Sequence, residues 1–476
     1  MLNIISFNSI DFFIFFLIVF FLYWIIPQKT KNLILLIASY VFYASWSFKL
    51  LALVFISTYI DYFCGLAINS SNKESKRKFF LITSVLVNLG LLGFFKYYNF
   101  FTQNLITLLN SIGLNLNFTS LNIILPIGIS FYTFQTLSYT IDIYRRKILP
   151  TRNIIDFSLF VVYFPQLVAG PIERAKELIP KIKETKYFKN IEFKKGTYLI
   201  VYGLFKKVVI ADSIAVIVDS IFSSTNPTGT SVLIAAYAFA IQIYCDFSGY
   251  SNMARGLSYF FGIKLETNFI LPYFAKNPSD FWKRWHITLS SWVKDYIYIP
   301  LGGRNSILFG TTSLFITMFL MGLWHGAAWN FVLWGIFWFA LIMIYRIINE
   351  ILPKFNLLRR RIFRYFSNII LILIMFHLTC YSWIIFRSQS LNQIVIFTSA
   401  LLSGIDFSLF LDFEYFKVYL FGLFLLVYMI FQSFHKDLLF ITKKDFVWQI
   451  TFYLILFFLF IESGEIVSTP FIYFQF

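Results

Sequence analysis

Long apolar runs occupy most of this chain and constrain its fold more than any other feature. A helix of about 20 apolar residues crosses the roughly 30 Å hydrocarbon core of a bilayer. With 59% of the 476 residues hydrophobic and only 13% charged, the sequence holds roughly ten to twelve such candidates. Their approximate spans are 10–26, 32–46, 49–68, 79–96, 121–143, 197–220, 231–247, 307–323, 327–348, 366–386, 390–411, 416–434 and 447–462. We therefore predict an all-α polytopic membrane protein in which some segments are re-entrant or interfacial.

Basic residues lie mainly in the short connections between these runs. A net charge of +17 would suggest a nucleic-acid partner in a soluble protein, but this distribution is typical of loops that set membrane topology. Two clusters, at 73–78 and 145–147, are predicted to face the cytoplasm, which places the 110–120 connection and the N-terminus outside. The first run, 10–26, lacks the flanks of a signal peptide and is predicted to be a retained helix. No nucleic-acid partner is predicted.

Several familiar chemistries have no support in the sequence. Cys64, Cys245 and Cys380 lie within or beside apolar stretches without CxxC pairing, so neither a disulfide framework nor a metal site is predicted. The chain also lacks a GxxxxGK[ST] phosphate loop, an HExxH motif and a GxSxG elbow. Transport driven by ATP, zinc proteolysis and serine hydrolysis by these routes are therefore disfavoured.

Two long connections differ from simple loops. The segment 173–195 mixes Lys, Glu and spaced apolar residues, which fits either helices on an anionic leaflet or a solvated cytoplasmic loop. The segment 247–303 has no clean span and is rich in Trp, Tyr, Gly and Pro. Irregular backbone at membrane depth must be buried in protein or line a wet cavity, so this second segment is the predicted chamber.

His325 is the strongest candidate for chemistry. It lies in GLWHGAAWN between two apolar runs, where an ionisable group is costly unless it faces a protein interior or a wet cavity. Gly322 and Gly326 form a pair of small residues that permits close helix approach. Trp324 and Trp329 can wall a pocket, and Asn330 can donate hydrogen bonds. The alternative is a structural histidine that binds a carbonyl of a neighbouring helix.

His286, in FWKRWHITLSSW, lies beside a predicted helical face. Five residues recur there at spacings of four, four, three and four: Phe281, Trp285, Leu289, Trp292 and Tyr296. The pattern predicts an amphipathic helix that lies in the interface or dips into the protein. A histidine among interfacial Trp anchors needs no catalytic purpose, so both interpretations stay open.

Other polar groups within apolar stretches are weaker candidates. Asp212 and Asp246 each follow an apolar run and can orient a histidine or hold water, but a helix cap or a buried ion pair explains them equally well. His377 lacks the Gly and Trp context of His325 and is interpreted as structural. His435 stands beside charged residues and is predicted to be solvated.

Five stretches carry a resemblance to a known family. They are FPQLVAGPIER at 164–174, YCDFSGYSNMARGL at 244–257, NFILPYFAKNPSDFWKRWHITLSSWVKDYIYIPLGG at 268–303, GLWHGAAWNFVLWG at 322–335 and PFIYFQF at 470–476. The sequence resembles the membrane-bound O-acyltransferases, in the branch that contains the membrane subunits of alginate, peptidoglycan and cellulose O-acetylation. The resemblance implies that His325, in the WHG match, is the catalytic histidine and that His286, in the RWHITLS match, is a second histidine near the reaction centre.

The same resemblance implies the architecture and the partners. We expect one transmembrane domain over 1–476, with a catalytic core at about 121–348 between flanking helices of 1–120 and 349–476. A ring of helices would surround a central funnel with a cytoplasmic tunnel for the acyl donor. The implied donor is acetyl-CoA or a similar thioester, with no bound cofactor. The implied surroundings are the lipids of the inner membrane, an extracytoplasmic esterase-like acetyltransferase and an envelope glycan.

The expected reaction is acyl transfer from a thioester with His325 as general base, since a neutral imidazole can accept a proton from an attacking hydroxyl. His286 would orient a substrate or help to stabilise the developing oxyanion. The candidate substrate-binding side chains are Trp285, Trp324, Asn330, Asp246 and Asp212. The alternatives are D-alanyl transfer to teichoic acid, a lipid or glycan transporter and a membrane scaffold; the DFSGYS and PFIYFQF stretches favour the acetyl branch.

Overall fold

The computed structural model describes residues 7–167, 170–303, 307–351, 361–406, 408, 412–463 and 470–472. All regular secondary structure in these ranges is helical. Contacts divide the chain into two compact units, one formed by Met1–Ile200 with Ser251–Glu266 and the other by Val201–Tyr250 with Thr267–Phe476. The predicted all-α class is confirmed. The ring around a funnel and the division into a core and two flanks stay predictions.

Helices α1 to α12 follow one another up to residue 260. They are α1 (Ile10–Ile25), α2 (Lys31–Trp46), α3 (Phe48–Ser70), α4 (Glu74–Leu92), α5 (Tyr98–Ser111), α6 (Ile129–Tyr144), α7 (Ile154–Val162), α8 (Phe164–Leu167), α9 (Ala175–Lys183), α10 (Phe193–Leu204), α11 (Asp212–Phe222) and α12 (Gly229–Phe260). Wider π-helical turns at Gly93–Tyr97 and Phe205–Ala211 join α4 to α5 and α10 to α11.

Helices α13 to α20 complete the chain. They are α13 (Pro278–Phe281), α14 (Ile287–Val293), α15 (Ile307–His325), α16 (Trp329–Ile351), α17 (Arg361–Arg387), α18 (Leu391–Ser403), α19 (Phe416–His435) and α20 (Phe446–Glu462). A π-helical turn at Lys294–Tyr298 extends α14.

The described chain crosses a membrane several times. Six helical stretches are long and apolar enough to span it: Phe48–Ser70, Glu74–Ser111, Gly229–Phe260, Trp329–Glu350, Ser367–Arg387 and Phe413–His435. Shorter apolar helices occur at Ile10–Ile25, Ile154–Leu167, Leu391–Ser403 and Phe446–Ile461. Because lipid offers no hydrogen-bond partners, helices satisfy every internal backbone group within their own segment. The prediction of a polytopic membrane protein is confirmed.

Glycines explain where the helices depart from the predicted spans. The span predicted at 121–143 begins only at Ile129, after Gly128 with φ 71°, where an added Cβ would lie 2.6 Å from the carbonyl oxygen of Leu167. In α12, by contrast, Gly249 permits close packing, since a Cβ there would lie 2.8 Å from the carbonyl oxygen of Gly203. The helix continues to residue 260, so the predicted start of the irregular chamber at 247 is wrong.

The first part of the mixed segment at 173–195 packs against protein, whereas most of residues 184–195 are exposed. This first part forms α9, whose apolar side chains Leu178, Ile179 and Ile182 are buried. Their neighbours are α6 and α7 of the same unit. The amphipathic pattern is thus satisfied by packing against protein.

A buried polar network joins three helices of the first unit. Asp61 of α3 accepts hydrogen bonds from the Ser84 hydroxyl, at 2.5 Å, and from the Asn88 amide, at 2.8 Å, both on α4. The hydroxyl of Thr136 on α6 donates to the Asn88 side-chain oxygen at 3.2 Å. Satisfied polar networks of this kind fix the register of packed helices in lipid.

Candidate active site

His325 is the last residue of α15 and is only 4% exposed. The helix pair α15 and α16 brings it inside the second unit by very close backbone packing. An added Cβ at Gly322 would lie 2.3 Å from the carbonyl oxygen of Phe331, and one at Gly335 would lie 2.2 Å from that of Met318. Only glycine permits this approach, as the GLWHG pattern predicts.

Aromatic rings surround the His325 imidazole. Its ring centroid lies 4.8 Å from that of Trp324, 4.8 Å from that of Trp334 and 5.1 Å from that of Phe386. Trp334 and Phe386 meet it nearly edge to face, at 86° and 77°. The imidazole is therefore enclosed by side chains that exclude water and leave its nitrogens as the polar centre.

His286 is also buried, at 1% exposure, but not on the helix that the sequence predicts. The prediction of one helical face from 281 to 296 is wrong, because α13 ends at Phe281 and α14 begins only at Ile287. His286 precedes α14 with φ 42°, a left-handed conformation that few residues other than glycine adopt. Such strained positions concentrate at functional sites, where the surrounding structure holds them.

Asn268 holds the turn that carries His286. Its carbonyl oxygen accepts a hydrogen bond from the Ile287 amide at 2.9 Å, and its side-chain oxygen accepts one from the Thr288 hydroxyl at 2.6 Å. The predicted face is nevertheless buried, since Trp285 is 1% exposed. Burial lowers the pKa of His286 to about 3, so this imidazole is neutral at cellular pH.

Trp324 contacts both histidines. Its ring centroid lies 6.0 Å from that of His286 and 4.8 Å from that of His325. A second aromatic connection runs through Trp383, which packs 5.0 Å from Trp285 and 6.2 Å from Trp334. The structure thus brings the two predicted histidines, Trp285 and Trp324 into one aromatic cluster, whereas Trp329 is 51% exposed.

Asn330 is buried and its amide is already engaged. The Nδ2 group donates to the carbonyl oxygen of Phe386 at 3.0 Å. Since the Phe386 ring packs against His325, Asn330 fixes one wall of the imidazole's surroundings. This contact gives the residue a structural task beside the predicted substrate-binding role, which stays a prediction.

Asp212 and Asp246 share one buried cation. The Lys207 Nζ lies 2.7 Å from Oδ1 of Asp212 and 2.8 Å from Oδ1 of Asp246, and all three side chains are at most 3% exposed. The other oxygen of Asp246 accepts a hydrogen bond from the Ile472 amide at 2.7 Å. The ion-pair alternative therefore describes both carboxylates. Residues 473–476 of the terminal PFIYFQF stretch lie outside the described residues, as do residues 168–169 of FPQLVAGPIER.

Phe247 links this ion cluster to His286. Its ring lies 4.6 Å from the imidazole at 88° and 5.7 Å from Phe471 of the terminal segment. Asp246, the preceding residue, holds that segment through Ile472. The ion cluster thus positions the wall behind His286.

The remaining histidines have structural partners. His377 Nδ1 donates to the Leu373 carbonyl oxygen at 2.7 Å, so Nε2, 2.9 Å from the Tyr237 hydroxyl, accepts its hydrogen bond. His435 Nδ1 lies 2.9 Å from the Phe431 carbonyl oxygen, on an exposed surface. Among the described residues, no three His, Cys, Asp or Glu side chains group as metal ligands.

Several residues of the cluster escaped the sequence interpretation. Trp334 and Trp383 are at most 1% exposed, and the Trp334 indole N–H has no hydrogen-bond partner among the described residues. Leaving such a donor unsatisfied costs about 1–3 kcal/mol, so it is retained where it meets a ligand or serves packing. Asn268, Phe247 and Lys207 were also missed. Their roles depend on contacts with residues that are distant in sequence, and no local motif indicates such contacts.

The fold and the site together define a multi-pass membrane protein with a buried histidine pair in an aromatic cluster. The sequence profile described as "MBOAT, membrane-bound O-acyltransferase family" matches residues 35–386. The chain belongs to the membrane-bound O-acyltransferase family and is an O-acyltransferase that uses an acyl donor.

Three named relatives are similar to this chain. The chain is 40% identical over 376 residues to the "Probable alginate O-acetylase AlgI" of Azotobacter vinelandii, covering 78% of this chain and 72% of that protein. It is 36% identical over 404 residues to the "Peptidoglycan O-acetyltransferase" of Helicobacter pylori, covering 78% and 74%. It is 28% identical over 288 residues to the "Teichoic acid D-alanyltransferase" of Bacillus subtilis, covering 57% and 71%.

Proposed function

We propose that the chain transfers an acetyl group from a cytoplasmic thioester towards hydroxyl groups of an extracytoplasmic polysaccharide, with His325 as general base. The observation that carries the proposal is the pair of buried histidines that both contact Trp324. A buried, enclosed imidazole in a membrane enzyme suits proton transfer, because competing water is excluded.

In the proposed reaction, His325 accepts the proton of the attacking hydroxyl group. The attacking hydroxyl oxygen forms a bond to the acyl carbon while its proton passes to the His325 imidazole. The tetrahedral intermediate then collapses, the bond from carbon to sulfur breaks, and the leaving thiolate takes the proton back from the imidazolium. General-base catalysis of this kind contributes about 10²–10⁴-fold to the rate.

Trp334 is the proposed donor to the oxyanion of the tetrahedral intermediate. Its indole N–H is buried without a hydrogen-bond partner among the described residues, and its ring lies 4.8 Å from that of His325. An indole nitrogen can only donate, which suits a developing negative oxygen. The indole N–H would then gain a hydrogen-bond acceptor when the tetrahedral intermediate forms.

His286 is proposed to orient a reacting group as a neutral imidazole. Its pKa of about 3 leaves it uncharged, so it acts by hydrogen bonding. Its position depends on Asn268, and on Phe247 behind the ring. Trp285 and Trp324 are proposed to line the substrate site. Asp212 and Asp246 are proposed to act on that site indirectly, through their shared ion pair with Lys207.

The proposed donor is acetyl-CoA or a related thioester, and the proposed location is the inner membrane. The support comes from the relatives whose names specify O-acetylation of alginate or peptidoglycan, at 40% and 36% identity. An extracytoplasmic esterase-like acetyltransferase is the proposed partner, which would complete transfer to the envelope glycan. D-alanyl transfer to teichoic acid is the second candidate, supported by a relative at 28% identity.

Donor consumption by the purified protein tests the proposal. We expect acetyl-CoA to be consumed in the presence of the partner, and a D-alanyl thioester to be consumed at a much lower rate. Replacing Trp334 by Phe should lower the transfer rate about 10²–10³-fold, as loss of an oxyanion donor does elsewhere.

Trp338→Phe is the matched control. Trp338 is also fully buried and its indole N–H likewise has no partner in the described residues, but its ring packs on Phe281 and Trp282. We expect this variant to keep most of the activity. Equal losses in the two variants would contradict the role of Trp334, and preferred use of the D-alanyl donor would replace the acetyl assignment.

A further inference from the structure

A polar cavity of about 440 Å³ lies in the first unit. The residues that line it are distant in sequence from those of the histidine cluster. Its walls come from the connection between α3 and α4 and from the turn after α6. Arg77, Arg146 and Lys147 line it together with the amide side chains of Asn69 and Asn72. The two basic clusters of the sequence therefore share one side of the membrane.

The cavity is strongly cationic. Three of its lining side chains are basic, and no Asp or Glu is among the described residues that line it. Arg77 has an ion-pair partner in Glu74, whose exposed carboxylate lies 3.8 Å from Arg77 Nε. Basic side chains with neighbouring amides and a hydroxyl present the donors that a phosphate group requires.

Arg77 is built into this cavity. It is only 5% exposed, and its Nη2 donates to the Tyr144 carbonyl oxygen at 2.5 Å. Its Nε has no hydrogen-bond partner in the described chain. A guanidinium has five N–H donors, so donors remain beyond the single bond to Tyr144.

The turn after α6 holds the other two basic residues at the cavity. Arg146 has φ 58°, and its amide donates to the Ile143 carbonyl oxygen at 3.0 Å. The Lys147 amide donates to the Asp142 carbonyl oxygen at 2.8 Å. This pair of bonds closes the helix, and it places Arg146 where glycine is the usual residue.

An apolar groove of about 780 Å³ adjoins the cavity and shares Asn69 with it. Its walls are mainly apolar side chains of α3 and α4, including Phe63 and Phe79, which are 62% and 64% exposed. The network around Asp61 fixes α3, α4 and α6, which frame both spaces. A cationic cradle that continues into an apolar groove on a membrane helix matches the two ends of a phospholipid.

We infer that the first unit binds one anionic phospholipid, with its phosphate in the cavity of Arg77, Arg146 and Lys147 and its acyl chains on the groove of α3 and α4. The site lies on the side that the basic clusters assign to the cytoplasm, where the leaflet is anionic. This binding is independent of the proposed acyl transfer.

The test is equilibrium binding of a fluorescent phosphatidylglycerol to the purified full chain in a neutral detergent. The variant carries Arg146→Asn, which suits a left-handed backbone, together with Lys147→Gln; both positions are exposed. Each basic side chain contributes about fivefold in affinity near an anionic lipid, so the pair should weaken binding about 25-fold. Phosphatidylcholine should bind the wild-type chain far more weakly.

The matched control is Lys76→Gln with Lys78→Gln, which removes two charges from the neighbouring cluster without touching the cavity lining. We expect it to lose less than about threefold in affinity, because neither lysine lines the cavity and salt screens charges that lie outside it. Equal losses in both variants, or equal affinity for phosphatidylcholine, would overturn the inference. Displacement of the lipid by millimolar inorganic phosphate or by CoA would also overturn it in favour of a soluble phosphate ligand.

Discussion

The contact between α15 and α16 gives the sharpest structural prediction, through Gly335→Ala. An added Cβ at Gly335 would lie 2.2 Å from the carbonyl oxygen of Met318 and 3.3 Å from the Cα of Gly322. The first contact is with backbone, so no side chain can move aside. Relief to an ordinary contact requires the helices to separate by about 1 Å, and overpacking of this kind costs about 1–3 kcal/mol.

The same shift should disturb the catalytic geometry. His325 ends α15 and Trp334 directly precedes Gly335 on α16, so separating the helices changes the 4.8 Å spacing of their rings. A misplacement of about 1 Å in an active site can lower the rate about 10²-fold. The assays are the unfolding temperature of the purified protein in detergent and the acetyl transfer rate at equal folded yield.

Gly90→Ala is the matched control for this prediction. Gly90 also lies within an apolar helix, but an added Cβ there would meet nothing within 4 Å. Alanine should stabilise that helix by about 0.5–1 kcal/mol and leave the rate unchanged. If Gly335→Ala matched Gly90→Ala in both assays, the argument from close backbone packing would be refuted.

Three further predictions follow from buried polar groups. Lys207→Met leaves two carboxylates without their cation and should lower the stability of the fold by about 3–5 kcal/mol, measured as loss of folded yield in detergent. Adding Asp246→Asn should restore part of that yield. An unchanged yield in Lys207→Met would contradict the buried ion cluster. Asn330→Ala frees the Phe386 carbonyl oxygen and should cost about 1–3 kcal/mol in thermal unfolding together with a slower transfer rate, whereas an unchanged rate would remove Asn330 from the wall of the site. Burial raises the pKa of Glu173 to about 8, so the folded state holds a proton that the unfolded state releases near pH 4.5. The stability of the fold should therefore decrease as the pH rises from about 4.5 to 8. Glu173→Gln should remove this pH dependence in thermal unfolding measured across pH.

Much of the fold is predictable because lipid imposes a simple rule on sequence. Apolar runs of sufficient length must be helical, so the spans predicted at 32–46, 49–68 and 416–434 agree closely with α2, α3 and α19. The errors fall where glycine has more than one use. Glycine ends the extended approach to α6 at Gly128, but within α12 it allows close helix packing and no break.

The local structure of the site was harder to predict than its residues. The aromatic spacing from 281 to 296 predicts a continuous helix, yet the backbone reverses at His286, where Asn268 supplies the hydrogen bonds that hold it. Periodicity indicates which side chains are buried, but it does not reveal that one residue adopts the left-handed conformation. The partners of Asp246, Lys207 and the Ile472 amide, are distant in sequence, and no spacing rule identifies them.

The proton-transfer role of His325 is the centre of this account. The most direct measurement compares release of thiol from labelled acetyl-CoA by wild type and His325→Ala, at equal folded yield and with donor binding measured separately. The account predicts that the variant binds acetyl-CoA with unchanged affinity and transfers acetyl at least about 10²-fold more slowly. A variant that turns over as fast as wild type would contradict the assignment of His325 as general base.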